Sequence, residues 1–318
     1  MTTPAEVPGF ALPEGDGWEF GGLPYGLETL FLPAGWAAPD EHGSTLPGEP
    51  GVHRLGEHPR PDAVAALEPP DGTTVDRVFW FRWITGHQTT FLVWQLLAAA
   101  MAEAENHPGS DEALRQARHY VRGYSLMLLY TSSGTREIYN RVIRAVIARQ
   151  HPHLSGSWAR DYGPVRSLLR GRVSFDGPAG AALAEECRLN ERIHEGIAAK
   201  LVPSGPSLLQ TARNTQNGLR GRRGMLQTLY DGIFLTVRAP MSYESVVVQL
   251  IRRLQAINLD IAANTLYPRF APSEGEEPSS MRDSATSRCK EDFSRSLALV
   301  GRAAVASCSP AAGIRVPR

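Results

Sequence analysis

Two histidines at helical spacing on apolar faces are the side chains whose types and positions best suit chemistry. His87 lies between Gly86 and Gln88 inside residues 78–105, the richest apolar segment of the chain. At helical spacing it shares one face with Ile84, Phe91, Trp94, Ala98 and Met101. A single histidine on such a face can also be a core residue satisfied by one hydrogen bond, so its role depends on what else converges there.

A second long segment presents the other histidine. Asp176, Gly177 and Pro178 mark a helix start, and the segment continues to Leu201. Its predicted inward stripe consists of Leu183, Cys187, Asn190, His194, Ile197 and Leu201. The sequence therefore predicts two long apolar helices that each carry one inward imidazole.

Common catalytic motifs are missing from the sequence. It contains no GxGxxG after a strand pattern, no GxxxxGK[ST], no HExxH and no GxSxG. Glu191 and His194 form a single Glu-x-x-His pair, which is half of a di-iron site. His151 and His153 flank a proline and are predicted to be a solvated loop pair.

One histidine on each of two apolar helices is a common way to hold a b-type haem. That cofactor needs a flat apolar slot, an axial imidazole and cations that meet its propionates. Four arginines in or beside a glycine-broken polar segment could supply the cations, or could simply be solvated: Arg213, Arg220, Arg222 and Arg223.

Composition limits the classes of partner. The 318 residues carry 33 basic and 33 acidic side chains, which argues against nucleic acid or an anionic membrane as the main partner. Cys187, Cys289 and Cys308 are odd in number without CxxC spacing, so they predict neither a disulfide framework nor a zinc site. The N-terminus lacks a signal-peptide pattern, and residues 91–102 are too short for a membrane span. We therefore expect a cytoplasmic protein with small ligands.

Proline and helix signals divide the chain into three parts. Half of the 24 prolines precede residue 72, which predicts an irregular N-terminal arm over 1–75. We predict an all-α body over 76–270 and a polar tail over 271–318, with a short amphipathic helix at 293–306. The body is predicted to contain helices at 111–130 after Ser110 or Asp111, at 135–150 burying Tyr139, Val142, Ile143 and Val146, at 158–170 with a break at Gly163-Pro164, and at 243–265 after Ser242.

Two short segments resemble the tryptophan 2,3-dioxygenase superfamily. Residues 86–94, GHQTTFLVW, resemble its HQ…W helix, in which that histidine lines the distal haem pocket. Residues 133–141, SGTREIYNR, resemble its SGFQSxxYR segment, whose final arginine holds the amino-acid carboxylate and matches Arg141. His194 is the one histidine after His153 and corresponds to the proximal ligand. The resemblance spans roughly 79–266 and implies an all-α helical bundle of the tryptophan 2,3-dioxygenase type.

Departures from the dioxygenases resemble a smaller branch, the histidine-ligated haem-dependent tyrosine hydroxylases of antibiotic pathways. The acidic residue that follows the HQ pair is missing, and Trp94 arrives one position late. The sequences around 190–195 and 204–206 are also similar to that branch. A sibling attaches its haem through an HxxxC thioether, but here Leu183, Ala285 and Ala304 stand four residues before the cysteines. The resemblance thus implies non-covalent haem b.

The resemblance implies 3-hydroxylation of L-tyrosine to 3,4-dihydroxyphenylalanine by a homodimer or homotetramer. The oxidant would be hydrogen peroxide, or oxygen with a reductant. In this hypothesis His194 ligates the haem iron and His87 is the distal acid and base. The other expected contacts are Arg141 and Arg136 to the substrate carboxylate, Phe91 and Trp94 in the pocket wall, Ser204 and Gly205 at the substrate amine, and Arg222 and Arg223 at the propionates. An indole-directed oxygenase and a non-catalytic helical ligand-binding protein are the alternatives.

Overall fold

The structure, a computed structural model, describes residues 11–13, 18–35, 64–66, 72–151, 154–202, 223–268 and 277–308. Its helices are α1 (Gly72–Asn106), α2 (Asp111–Thr131), α3 (Arg136–Ile138), α4 (Ala145–Gln150), α5 (Tyr162–Leu169), α6 (Gly177–Leu201), α7 (Arg223–Ile233), α8 (Tyr243–Asn264), α9 (Ser284–Glu291) and α10 (Phe293–Ala306). A π-helical turn, Tyr139–Arg144, joins α3 to α4, and 3-10 turns lie at Gly156–Trp158 and Ser279–Met281. The predicted all-α class is confirmed.

Helix α1 is buried on nearly every side because its sequence is apolar all round. Its 35 residues make a rod about 50 Å long. Polar side chains inside it bond to its own backbone: Thr89 Oγ1 donates to the Thr85 carbonyl at 2.7 Å and Thr90 Oγ1 to the Gly86 carbonyl at 2.9 Å. Thr89 and Thr90 are thus satisfied within the core, whereas the Thr85 hydroxyl is buried without a partner among the described residues.

Helix α2 is the centre of the bundle, packing against α1, α6 and α10. It begins where predicted, because the Ser110 hydroxyl accepts a hydrogen bond from the Ala113 amide. Gly86 lets α1 approach it closely, since a Cβ at that position would lie 2.4 Å from Thr131 Cγ2. Helix α8 is capped in the same way by Ser242, as predicted, and packs on α1 and α10.

The segment after α2 departs from the predicted single α-helix. Thr135 caps α3 as its hydroxyl accepts from the Ile138 amide at 3.2 Å. The Ala145 amide then bonds to the Asn140 carbonyl, five residues back, which is π-helical geometry. The wider turn changes the buried face, so Ile143 and Ile147 are buried while Val142 and Val146 are half-buried. The predicted burial of Val142 and Val146 is therefore wrong.

Helix α5 begins at Tyr162 rather than being broken at Gly163-Pro164. Pro164 lies in the first turn, where a backbone N–H has no partner inside the helix, so its ring is tolerated there. The predicted interruption is thus the start of the helix.

Helix α6 has the predicted bounds, with Asp176 at the N-cap and Pro178 in the first turn. Most of the predicted stripe is confirmed, since Leu183, Cys187, Asn190 and Leu201 are buried and Ile197 is half-buried. Asn190 holds this face on α2 by donating to Ser125 Oγ at 3.0 Å. The prediction that His194 faces inward is wrong, because the buried face widens through Leu189 and Ile193 and leaves His194 exposed.

Short strands tie the N-terminal segment to the body. β2 (Leu30–Leu32) runs parallel to β4 (Thr236–Arg238), and β1 (Ala11–Pro13) pairs antiparallel with β3 (Val64–Ala66). Gln249 of α8 holds Phe31 from both sides, accepting from its amide at 2.9 Å and donating to its carbonyl at 2.8 Å.

The C-terminal helices also pack on the body. α10 lies at the predicted position 293–306, and Phe293, Leu297 and Val300 are buried between α2 and α8. The division at residues 75 and 270 stays a prediction.

Candidate active site

His87 is enclosed by aromatic rings in the middle of α1. Its Nδ1 lies 2.8 Å from the Trp83 carbonyl oxygen, and since a carbonyl only accepts, Nδ1 carries the proton and Nε2 keeps its lone pair. The Trp83 ring lies 4.1 Å from the imidazole and the Phe234 ring stacks on it at 4.5 Å. Burial lowers the pKa of His87 to about 4, partly offset by the bond to Trp83. The imidazole is therefore neutral at physiological pH.

Local helical spacing supplies part of this enclosure. Trp83 and Phe91 lie four residues before and after His87, so all three share one face of α1. The Phe91 ring is 6.5 Å from the imidazole and meets the Phe234 ring edge-on at 5.4 Å. Phe91 therefore lies in the wall beside His87, where the sequence placed it.

Gln88 fixes the opposite side of the enclosure. Its side-chain amide donates to the carbonyls of Glu28 and Phe234, both at 2.9 Å, and its oxygen accepts from Arg253 Nε at 3.0 Å. The Leu30 amide donates to the Leu235 carbonyl at 2.9 Å, and Leu235 has a φ of +49°. His87 thus faces the aromatic rings, while the neighbouring Gln88 anchors the turn that carries Phe234.

The aromatic wall continues from Phe91 to Trp94 and beyond. The Phe91 and Trp94 rings are 6.0 Å apart, and Trp94 lies 5.1 Å from both Tyr124 of α2 and Tyr162 of α5. Trp94 is thus buried beside Phe91, and its predicted contact with a haem stays a prediction. Its indole N–H and that of Trp83 are buried without a hydrogen-bond partner in the part of the chain that the structure describes. A buried donor without a partner destabilises the fold. A bound molecule whose acceptor atoms met the Trp83 and Trp94 indole N–H groups would therefore be stabilising.

A buried ion cluster holds the outer end of this wall. Arg238 of β4 donates to both Asp161 oxygens at 2.9 Å and to Asp231 of α7 at 2.6 Å. Gln95, next to Trp94, donates to Asp161 at 2.6 Å. Because these groups come from α1, α5, α7 and β4, the cluster fixes the wall rather than offering free groups for catalysis.

His194 lies on a different part of the molecule from His87. Its ring is exposed on α6, and no contact joins it to His87 among the described residues. Partial desolvation, with the positive charge of Arg170, lowers the pKa of His194. Arg170 Nε also donates to the Tyr162 hydroxyl at 3.3 Å, so Tyr162 lies between the Trp94 wall and the surroundings of His194.

The predicted substrate and propionate arginines are not brought together. Arg141 Nη1 lies 2.5 Å from Asp76 Oδ2 of α1, and 49% of the Arg141 side chain is exposed. Arg136 and Arg223 are exposed at the beginnings of α3 and α7. The predictions for Ser204, Gly205 and Arg222 lie outside the described residues.

Besides Phe234, which stacks on His87, three residues connected to the site through Trp83 were not singled out from the sequence. Trp83 could have been found, because it lies one turn before His87. Tyr139 of the π turn lies with its ring 6.0 Å from that of Trp83. Arg144 is half-buried and lowers the pKa of Tyr139, which burial raises overall. No periodicity in the sequence signals the π turn that presents Arg144.

A family model described as SfmD 3-methyl-L-tyrosine peroxygenase matches residues 26–188, just over half of the chain. The chain belongs to the SfmD peroxygenase family. The match includes the strand that holds Phe31, the whole of α1 with His87, and the π turn, and it ends before His194. No curated protein matches the chain. Membership of the SfmD family makes the chain an oxidoreductase, and none of its described helices is long and apolar enough to cross a membrane.

The side chains of this SfmD-family member suit a haem held without a covalent bond. His87 offers a neutral imidazole beside an aromatic slot, and two buried indole N–H groups await acceptors. The exposed His194 ring makes no hydrogen bond to another described residue, so a ring nitrogen would be available to donate its lone pair to a haem iron. Burial raises the pKa of the Cys187 thiol to about 12, which keeps it protonated. No group of three His, Cys, Asp or Glu residues converges within the described ranges.

Proposed function

We propose that this chain is a haem-dependent peroxygenase that hydroxylates the ring of a tyrosine-type amino acid in secondary metabolism. The observation that carries the proposal is a neutral, aromatic-enclosed His87 in a member of the SfmD 3-methyl-L-tyrosine peroxygenase family. Trp83, Phe91 and Phe234 form a surface suited to an aromatic ring, which supports a phenolic substrate.

In this proposal His194 holds the haem, with Trp94 at its edge and Arg222 and Arg223 at its propionates. When bound, the haem supplies the site at which peroxide delivers one oxygen atom to the substrate. No histidine stands four residues before Cys187, Cys289 or Cys308, so the sequence lacks the HxxxC motif that a thioether link would use. The haem in this proposal is accordingly b-type and non-covalent.

The role of His87 is to move a proton. With Nδ1–H held by the Trp83 carbonyl, Nε2 points its lone pair away from the helix backbone and accepts a proton from hydrogen peroxide. Returning that proton to the departing oxygen releases water, so L-tyrosine and hydrogen peroxide yield 3,4-dihydroxyphenylalanine and water. Trp83 and Phe234 exclude bulk water from the imidazole, which keeps it unprotonated until peroxide arrives.

The test combines the absorption spectrum of the bound haem, the mass of the product from each substrate, and the variants of His194 and His87. Protein reconstituted with haemin is given hydrogen peroxide, or oxygen with ascorbate, together with L-tyrosine, 3-methyl-L-tyrosine or L-tryptophan, and products are identified by mass. We expect a Soret band that His194→Ala abolishes, and a product of either tyrosine heavier by one oxygen atom. His87→Gln, which keeps a polar side chain at this position but has no basic nitrogen, should retain haem but lose about 100-fold or more in hydroxylation rate.

Three results would contradict the proposal. One is a protein that stays colourless after reconstitution, and another is oxygenation of tryptophan in preference to both tyrosines, which would favour the indole-directed oxygenase. The third is a His87→Gln variant with full hydroxylase activity, which would remove His87 from proton transfer.

A further inference from the structure

Because of the π turn, the Arg144 side chain points in a different direction from that of Arg141, the arginine that the sequence resemblance matches to the substrate carboxylate. In an α-helix Tyr139 and Arg144, five residues apart, point well away from one another. The bond from the Ala145 amide to the Asn140 carbonyl widens the turn, so side chains five apart come close to the same side. Arg144 thereby joins the side of Tyr139, while Arg141 points toward Asp76 on α1.

The ring of Trp83 links Tyr139, in the π turn, to the His87 site. The Trp83 ring lies 6.0 Å from that of Tyr139 and 4.1 Å from that of His87. A molecule lying along Trp83 would therefore have His87 at one end and the Tyr139–Arg144 pair at the other. An aromatic amino acid has this layout, with a ring at one end and a carboxylate at the other.

The Tyr139 end presents a cation and a hydroxyl that can donate hydrogen bonds. Arg144 is half-buried and has neither an ion pair nor a side-chain hydrogen bond with any described residue, in contrast to Arg141. The Tyr139 hydroxyl, whose pKa Arg144 lowers, likewise bonds to no described residue, and the Trp83 indole N–H is buried without an acceptor. A partly buried cation beside an unpaired hydroxyl is complementary to an anion that carries acceptor oxygens.

We propose that Arg144, assisted by the Tyr139 hydroxyl, binds the α-carboxylate of the amino-acid substrate. This inference rests on the proposed function and replaces Arg141 as the carboxylate-binding residue. The guanidinium of Arg144 donates two parallel, charge-assisted hydrogen bonds to the carboxylate. The substrate ring then lies over Trp83, toward His87. Arg141 instead holds the π turn on α1 through Asp76.

The test measures binding rather than turnover. The haem-loaded protein is titrated by calorimetry with L-tyrosine and with tyramine, which has the same ring and amine but no carboxylate. We expect Arg144→Gln to raise the Kd for L-tyrosine about 10- to 100-fold and to leave that for tyramine within about 3-fold. Arg144→Lys should recover part of the loss, and Tyr139→Phe should weaken L-tyrosine by a smaller factor.

Arg141→Gln is the matched control, since it removes an arginine of the same turn. We expect it to lower thermal stability slightly and to leave the preference for L-tyrosine over tyramine in place. The inference is overturned if Arg141→Gln removes that preference while Arg144→Gln keeps it. It is also overturned if Arg144→Gln loses haem but binds L-tyrosine normally once reloaded, which would assign Arg144 to a propionate. Failure of the wild-type protein to bind L-tyrosine, and 3-methyl-L-tyrosine titrated in the same way, would instead refute the proposed function.

Discussion

His87 is kept neutral by its position in α1 and not by a charged neighbour. The causes that act on its pKa are burial, which lowers it, and the Trp83 carbonyl, which raises it. No carboxylate follows the HQ pair in the sequence, so nothing there favours the imidazolium ion. A neutral base with a lone pair on Nε2 is suited to take a proton from a weak acid such as peroxide.

This burial predicts a specific loss of stability in acid. The pKa of His87 is about 4 in the folded protein and near 6.5 when unfolded. The unfolded state therefore binds an extra proton between these values, so the contribution is present above pH 6.5 and is lost as the pH falls to 4. As the pH falls from 7.5 to 4.5, the free energy of unfolding measured in urea should decrease less for His87→Gln than for the wild type. The difference between the two decreases should be up to about 3 kcal/mol.

The exposed His107 offers a control for that measurement. It lies on the surface, beside Glu103, so His107→Gln should follow the wild-type pH profile. If His87→Gln and wild type lose equal stability on acidification, His87 is not held neutral by burial.

Individual residues of the site were predictable where one helix turn connects them. Phe91 and Trp94 follow His87 at helical spacing, so their place in one wall could be deduced from the sequence. Phe234 could not, because its contact with His87 joins residues far apart in the chain. The orientation of His194 could not be fixed either, since Ile193 and His194 both fit the apolar spacing of α6.

At the scale of elements, the contact between α1 and α2 depends on the absence of one side chain. Gly86→Ala would place a Cβ 2.4 Å from Thr131 Cγ2, so the helices must move apart. We expect this substitution to lower the free energy of unfolding by about 1–3 kcal/mol. Adding Thr131→Ser should restore much of the loss, because serine lacks Cγ2 and keeps the hydroxyl that donates to the Met127 carbonyl at 2.8 Å.

Gly232→Ala is the matched comparison in chemical unfolding. Gly232 is exposed in α7 with nothing within 4 Å of the added Cβ, so alanine should stabilise by about 0.5–1 kcal/mol. Equal effects of Gly86→Ala and Gly232→Ala would show that helix propensity, and not interhelical spacing, governs both positions.

The elements themselves were largely predictable because their caps are local. Ser110, Asp176 and Ser242 each mark a helix start in the sequence, and each does so in the structure. The π turn was not predictable, since Tyr139–Arg144 has an ordinary helical composition and its wider hydrogen bonding depends on packing against α1.

At the scale of the molecule, a buried ion pair joins four parts of the chain. Arg82 of α1 donates to Asp260 of α8 at 2.7 Å, and both side chains are almost fully buried. Asp260 also accepts from Tyr25 of the N-terminal segment at 3.0 Å and from Tyr130 of α2 at 2.8 Å. The remaining Arg82 donors bond to Ser133 and to the carbonyls that follow α8. Four of the five Arg82 N–H groups and both Asp260 oxygens thus have hydrogen-bond partners among the described residues.

Breaking this pair should be among the most damaging single changes. Asp260→Asn leaves the Arg82 charge buried without a counter-charge, so we expect a loss of about 3–5 kcal/mol in the free energy of unfolding. Glu112→Gln breaks an exposed pair with Arg115 and should cost less than about 1 kcal/mol. A similar, small loss in both variants by urea unfolding would mean that water reaches Arg82.

The π turn between α3 and α4 also bears on which sequence changes the carboxylate-binding pair can tolerate. A π turn contains one more residue than the α-helix that it interrupts. Loss of one residue between Tyr139 and Arg144 would restore α-helical bonding and leave these two side chains four residues apart, a spacing that shares one face of an α-helix. A relative that has an ordinary α-helix at this place is therefore expected to carry its arginine four residues, and not five, after the tyrosine.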